Sequence, residues 1–244
     1  SRVHLAGHPS TAGRRELLAT NILLPSGEEL LMNEVERPRR WTNLSANDQN
    51  AEPNTEREGL ATDIFRVWSH DSLYQRKEPF ELTEKAERAV ASFDPLTDTP
   101  ALKCIAPGMP NANLNPYPIE FIDEGDNIRL RIEEWESERI IDMVSTEIPN
   151  NVPHSRLGYS IGTLVENTLE IRTGRLDSPL LDDDGIPMSS DAEISEKYRI
   201  NADDVTLDYE VTVTDPEYLE KPATWAASWK WVPGTEIKSF ECDF

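Results

Sequence analysis

The sequence contains no run of roughly 18 apolar residues, so no segment is suited to cross a bilayer as a helix. Cysteine is nearly absent. Cys104 and Cys242 are the only two, and neither sits in a CxxC or Cys/His cluster, which argues against a zinc site. Bases are scarce as well: 24 Lys and Arg against 46 Asp and Glu leave a net charge of −22. Such a surface repels phosphate backbones and anionic lipid, so nucleic-acid binding and polybasic membrane attachment are disfavoured. Most of the acid excess lies after Thr99 and reads as a solubility device, of the kind a salty habitat favours. Catalytic signatures are missing too. There is no GxSxG, GxxxxGK(S/T), HExxH or GxGxxG, and the serine-containing runs GHPSTAG and LGYSIG match no nucleophile elbow.

What is present is the pattern of a turn-rich β protein. Prolines are plentiful, 18 in 244 residues, and apolar content is modest. ELLATNILL and EELLM flank Pro25-Ser26-Gly27 as a hairpin, and residues 35–60 are polar and aperiodic, a linker or long loop. IFRVWS reads as a strand. Pro79 to Phe93 reads as one short helix, capped by Thr83 and stopped by Asp94-Pro95, with Leu82, Ala86, Ala89, Val90 and Phe93 on one side. A Pro-rich loop runs to Pro118. From Ile119 the period switches to two, in about nine strands ending with ATWAASWKWV and TEIKSFECDF. Ile128, Leu130 and Ile132 share a face, as do Val205, Leu207, Tyr209, Val211 and Val213. The expected fold is mainly β: an antiparallel up-and-down barrel, lipocalin-like, or a two-sheet sandwich. Residues 1–60 form a β appendage and linker, 61–118 carry a strand, the helix and the loop, and 119–244 are the barrel.

Several residues are candidates for chemistry. Trp225, Trp229 and Trp231 share a strand face and, with Trp135 and Tyr159, make a stripe that either lines a ligand cavity or simply fills the core. His154, in the loop NNVPHSRLGYS, is a candidate base, with Arg139, Glu133 or Glu134 to orient it or hold a substrate; the alternative is an exposed loop histidine. His4 and His8 lie too far apart on a strand to share a metal ion, and His70 is isolated. Asp182-Asp183-Asp184-Gly185 opens like a calcium loop but lacks the later glutamate, so it reads as a solvated acidic turn. No metal or cofactor is expected. Cys104 and Cys242 are either bonded or two buried thiols. Their positions, in a Pro-rich loop and in the last strand, favour a bridge that ties down the C-terminus, which would point to export.

The run LKCIAPGMPNANLNPYPIEFIDEGDNIRLRIEEWESERIIDM, followed by LGYSIGTLVENTLEIRT, resembles a functionally uncharacterised family of exported bacterial proteins. Those proteins carry C-x-P-P-G-M-P, then P-Y-P-I-E-F with a G-D turn, then an L-G-x-S-x-G hairpin. VHLAGHPSTAGRRELLATNILLPSGEELL resembles the end of a small OB-like β domain that precedes it in many members. The resemblance implies a β-rich fold and export to the periplasm. It carries no activity. Ala106 stands where the motif has proline, and the histidine pair that often starts the OB-like domain is not among these residues.

Two functional classes follow, and a third is weaker. The first is an exported non-catalytic barrel that binds a small apolar ligand or serves as an extrinsic subunit of an envelope or membrane assembly. The second is a small-molecule lyase, isomerase or hydrolase that uses His154 as base with Arg139 or Glu134 assisting. The third is a filament or surface protein that associates through its N-terminal strand.

Overall fold

The computed structural model describes residues 4–9, 17–23, 29–31 and 64–242 apart from Asp203. The chain divides into two units after Leu60. In the first, β1 (His4–Pro9), β2 (Leu17–Leu23) and β3 (Glu29–Leu31) make an antiparallel sheet. β2 and β3 pair Asn21 with Leu31 and Leu23 with Glu29, as a hairpin requires. The Pro25-Ser26-Gly27 turn and the stretch read as a linker lie outside the described residues.

The second unit is a closed barrel of nine strands. They are β4 (Val67–Arg76), β5 (Ile119–Asp123), β6 (Asn127–Ile132), β7 (Ser137–Asp142), β8 (Tyr159–Val165), β9 (Thr168–Gly174), β10 (Glu193–Ile200), β11 (Thr206–Thr214) and β12 (Ala223–Lys230). Period-two sequences produce them: Leu207, Tyr209, Val211 and Val213 of β11 are all buried, while Thr206, Asp208, Glu210 and Thr212 are not. The sandwich alternative is excluded.

The barrel differs from the sequence expectation in three ways. It takes a strand from Val67–Arg76, well before Ile119, because β4 fills the place between β12 and β5. With β12 bonded to β11 and β4, residues 235–242 of the expected last strand have no strand edge left to join, and they follow an irregular path. The third difference is the pairing of β7 with β8, which is parallel. Strands that alternate in direction around a closed ring must be even in number, so a ring of nine contains one parallel pair. The long connection from Met143 to Gly158 supplies the crossover such a pair needs.

The helix α1 spans Glu84–Ser92, with the Thr83 hydroxyl accepting from Ala86 N at 3.3 Å and Phe93 already extended before Asp94-Pro95. Pro79–Leu82 stay out of the helix because Leu82 bridges to Leu219 and Thr83 N donates to the Tyr218 carbonyl. The far end of α1 rests on the turn after Asp184. Gly185 there has φ +84°, and a Cβ would lie 2.3 Å from the Phe93 ring. Gly185→Ala should therefore cost about 2 kcal/mol or more. Thermal unfolding checks this, and an unchanged Tm would contradict the packing.

Candidate functional site

The three residues considered for catalysis go to three separate places. His154 is half-buried on a groove of about 450 Å³ with Glu147, Arg172, Arg175, Asp191 and Glu193. Its Nδ1 lies 3.1 Å from the Leu176 carbonyl. A carbonyl only accepts, so Nδ1 carries a proton and donates. Neither Arg139 nor Glu134 lines that groove. Arg139 points into the barrel and is 2% exposed. Glu134 lies on a different concavity, under the Pro-rich segment.

Inside the barrel Arg139 is paired with Glu196. Arg139 Nη1 donates to Glu196 Oε1 at 3.0 Å, Nη2 donates to Oε2, and Nε donates to the Ser160 hydroxyl at 2.8 Å. Tyr209 donates to Glu196 Oε1 at 2.9 Å, and Thr173 accepts from Arg139 Nη2. Burial alone would lower the pKa of Arg139, but Glu196 outweighs it and the net shift is upward. Burial, then the charge of Glu196, holds the Tyr198 and Tyr209 phenols well above their usual range, so both stay neutral. This arginine is a satisfied element of the core. It is not a free catalytic group.

The tryptophan stripe also divides. Trp225 and Trp229 are fully buried and pack on other rings: Phe80–Trp225 at 4.7 Å, Tyr209–Trp229 at 5.3 Å and Tyr198–Tyr209 at 4.5 Å between centroids. Trp231 lies beyond the end of β12, under the Arg66 guanidinium at 4.9 Å. Tyr159 donates to Asp142 Oδ2 at 2.7 Å. The Ser145 hydroxyl and N–H, then Tyr159 and the Val144 N–H, hold the Asp142 carboxyl well below the usual carboxylate range. Of the stripe, Trp135 alone lines the concavity under the Pro-rich segment.

That concavity has a volume of about 540 Å³ and draws on three parts of the chain: Pro95–Tyr117, Glu134–Trp135 and Ser178–Asp183. The Pro-rich segment also plugs the barrel. Met109, Ala112 and Leu114 join the main core, and Met109 N donates to the Arg156 carbonyl. The intervening Asn111 instead lines the pocket. Its Nδ2 donates to Asp183 Oδ1 at 2.7 Å. The reverse amide orientation would set oxygen against carboxylate. Asn111 is only 7% exposed, and its Oδ1 has no hydrogen-bond partner. A buried carbonyl without a donor costs about 1–3 kcal/mol, and a ligand that supplies one recovers that energy.

Trp135 carries a second sign of stored cost. It and Glu136 both hold positive φ, +58° and +46°, in the tight turn between β6 and β7. Such backbone costs on the order of 1 kcal/mol per residue and collects at binding sites. Burial, with Asp183 adding its charge, raises the Glu134 pKa, while the Asn115 amide, donating at 2.7 Å, pulls it down. The back of the pocket wall is braced by the C-terminal tail. Phe240 packs on Trp135 at 4.9 Å and on Tyr117 at 5.7 Å, Lys238 N donates to Glu133 Oε2 at 2.9 Å, and Cys242 is bonded to Cys104.

No family model and no curated protein matches the chain. Among solved structures, the wild-type fluorescent protein UnaG is similar over 68% of this chain and 96% of its own, at 11% identity and a TM-score of 0.33. A single-substitution variant of UnaG aligns over 68% of this chain and 94% of its own, at 12% identity and a TM-score of 0.34.

The acidic turn is solvated in part: Asp183 and Asp184 are exposed, as expected, and Asp182 is not. Asp182 is 1% exposed, bonded to Arg76 at 2.8 Å, and its Oδ1 accepts from Asp184 N. Among the described residues no group of three or more His, Cys, Asp or Glu is placed to hold a metal ion. Burial, then the charge of Asp184, pushes the Asp182 pKa up to about 6 against the pull of Arg76. An unfolded aspartate titrates near about 3.9. Between these values the folded state binds the extra proton, so stability falls as pH rises from about 4 to about 6. Asp182→Asn should flatten that part of the curve. Urea unfolding at several pH values tests it; a variant curve as steep as that of the wild type would refute it.

Proposed function

We propose that this chain is an exported, non-catalytic barrel that binds a small ring-bearing molecule in the pocket under its Pro-rich segment, rather than inside the barrel. The observation that carries this reading is the unpaired, buried Asn111 carbonyl on an apolar-walled cavity of about 540 Å³ beside the strained Trp135. That volume is in the usual range of small-molecule sites. The barrel axis, by contrast, holds stacked rings and a satisfied ion pair. Export is supported by the Cys104–Cys242 bridge, since structural disulfides persist mainly in oxidising compartments. The enzymatic alternative loses support because His154, Arg139 and Glu134 line different cavities.

The test is a fragment screen by NMR on the full chain. Ring-bearing hits should perturb Tyr117, Trp135 and Asn111, and Trp135→Ala should weaken them about tenfold or more, as loss of an aromatic anchor does. Hits that instead perturb Tyr198 and Trp229 would place the ligand in the barrel and overturn the proposal.

A further inference from the structure

The hydrogen-bonding inventory of the pocket narrows the class of ligand, on the premise that the pocket is the binding site. The side-chain amides of the pocket and its Thr99 and Ser178 hydroxyls are committed within the protein, which leaves the Tyr117 hydroxyl and the Trp135 indole N–H as its remaining side-chain donors. Asn111 Nδ2 donates to Asp183 at 2.7 Å and Asn115 Nδ2 to Glu134 at 2.7 Å. The Thr99 hydroxyl donates to the Pro95 carbonyl at 2.7 Å and that of Ser178 to the Leu180 carbonyl at 3.1 Å. The acceptors open to a ligand are Asn111 Oδ1, which has no partner, and the spare lone pairs of the Glu134 and Asp183 carboxylates. Among the described lining residues there is no lysine, arginine or histidine to meet an anion.

We infer that the pocket selects a ring-bearing organic cation, with an ammonium or amidinium group donating to Asn111 Oδ1, Glu134 and Asp183 and an apolar ring against the proline walls. Three considerations separate a cation from a neutral polyol, which also brings donors. Glu134 and Asp183 repel each other across the pocket, and a positive charge beside them removes that repulsion. Trp135 and Tyr117 are in the lining, and aromatic rings attract cations. The net charge of −22 raises the local concentration of cations around the protein.

Three indoles that differ only in their head group test the inference on the full chain: tryptamine (cation), tryptophol (neutral) and indole-3-acetate (anion), each titrated by calorimetry near pH 8. Tryptamine should bind about tenfold tighter than tryptophol, with indole-3-acetate the weakest. Glu134→Gln and Asp183→Asn should each reduce the advantage of tryptamine over tryptophol to about threefold. Circular dichroism verifies that both variants fold. If tryptophol binds as tightly as tryptamine and perturbs Trp135, the cation inference fails and the pocket stands. If none of the three perturbs Trp135 at millimolar concentration and screening hits map to the barrel core, the site assignment itself fails.

Discussion

Arg139→Met should lower the free energy of unfolding by about 3–5 kcal/mol, the largest effect expected of a single substitution in this barrel. Glu196 is 1% exposed and receives two bonds from Arg139. Without the guanidinium it keeps only the Tyr209 hydroxyl, too little to hold an ionised carboxylate out of water. The cost should therefore come from the stranded charge and not from the lost pair. Arg139→Met combined with Glu196→Gln tests that distinction, because glutamine still accepts from Tyr209 while nothing ionised is left buried. The double variant should regain most of the loss in urea unfolding. A single-variant cost under about 1 kcal/mol would mean that the pair is not formed as described.

The second large effect concerns the tail. Cys104 and Cys242 are separated by 138 residues, and opening a loop of that length costs on the order of 4–5 kcal/mol through unfolded-chain entropy. Cys104→Ser with Cys242→Ser should lose about that much relative to the oxidised wild type. Dithiothreitol added to the wild type should reproduce it. The barrel ladders do not involve residues beyond Lys230, so the double variant should keep the β-sheet circular dichroism of the wild type. A loss below about 1 kcal/mol would show that the bridge does not restrain the unfolded chain.

Much of the barrel is legible as period two because its strands bury one face and wet the other. Ile128, Leu130 and Ile132 are core residues, and Arg129 and Arg131 pair with acids outside. The helix is legible from its ends, since Thr83 and Asp94-Pro95 act on their immediate neighbours. What was not legible is non-local. The recruitment of Val67–Arg76 depends on which edge of β12 stays open after the ring forms, and the parallel β7–β8 contact depends on the count of strands. The ion pair did leave a trace. In ISEKYRI, Glu196 shares the phase of Ile194, Tyr198 and Ile200, and in SERIID, Arg139 shares that of Ser137 and Ile141. Opposite charges on the apolar phase of two strands are a readable sign of a buried pair.

The pocket was harder to see. It is assembled from three loops distant in sequence, and of its polar residues the sequence marks Glu134 as a candidate for chemistry and Asp183 only as part of an acidic turn. Asn111 and Asn115, in NANLN, are turn-forming residues wherever they occur, and only the burial of Asn111 and the bond of Asn115 to Glu134 mark them.

The claim that binding occurs beside Trp135 and not inside the barrel is tested most directly by the indole N–H resonances of the 6 tryptophans during a tryptamine titration. The Trp135 resonance should move progressively and saturate, while those of the buried Trp225 and Trp229 stay in place. Shifts of Trp225 and Trp229 with Trp135 unmoved would contradict the account.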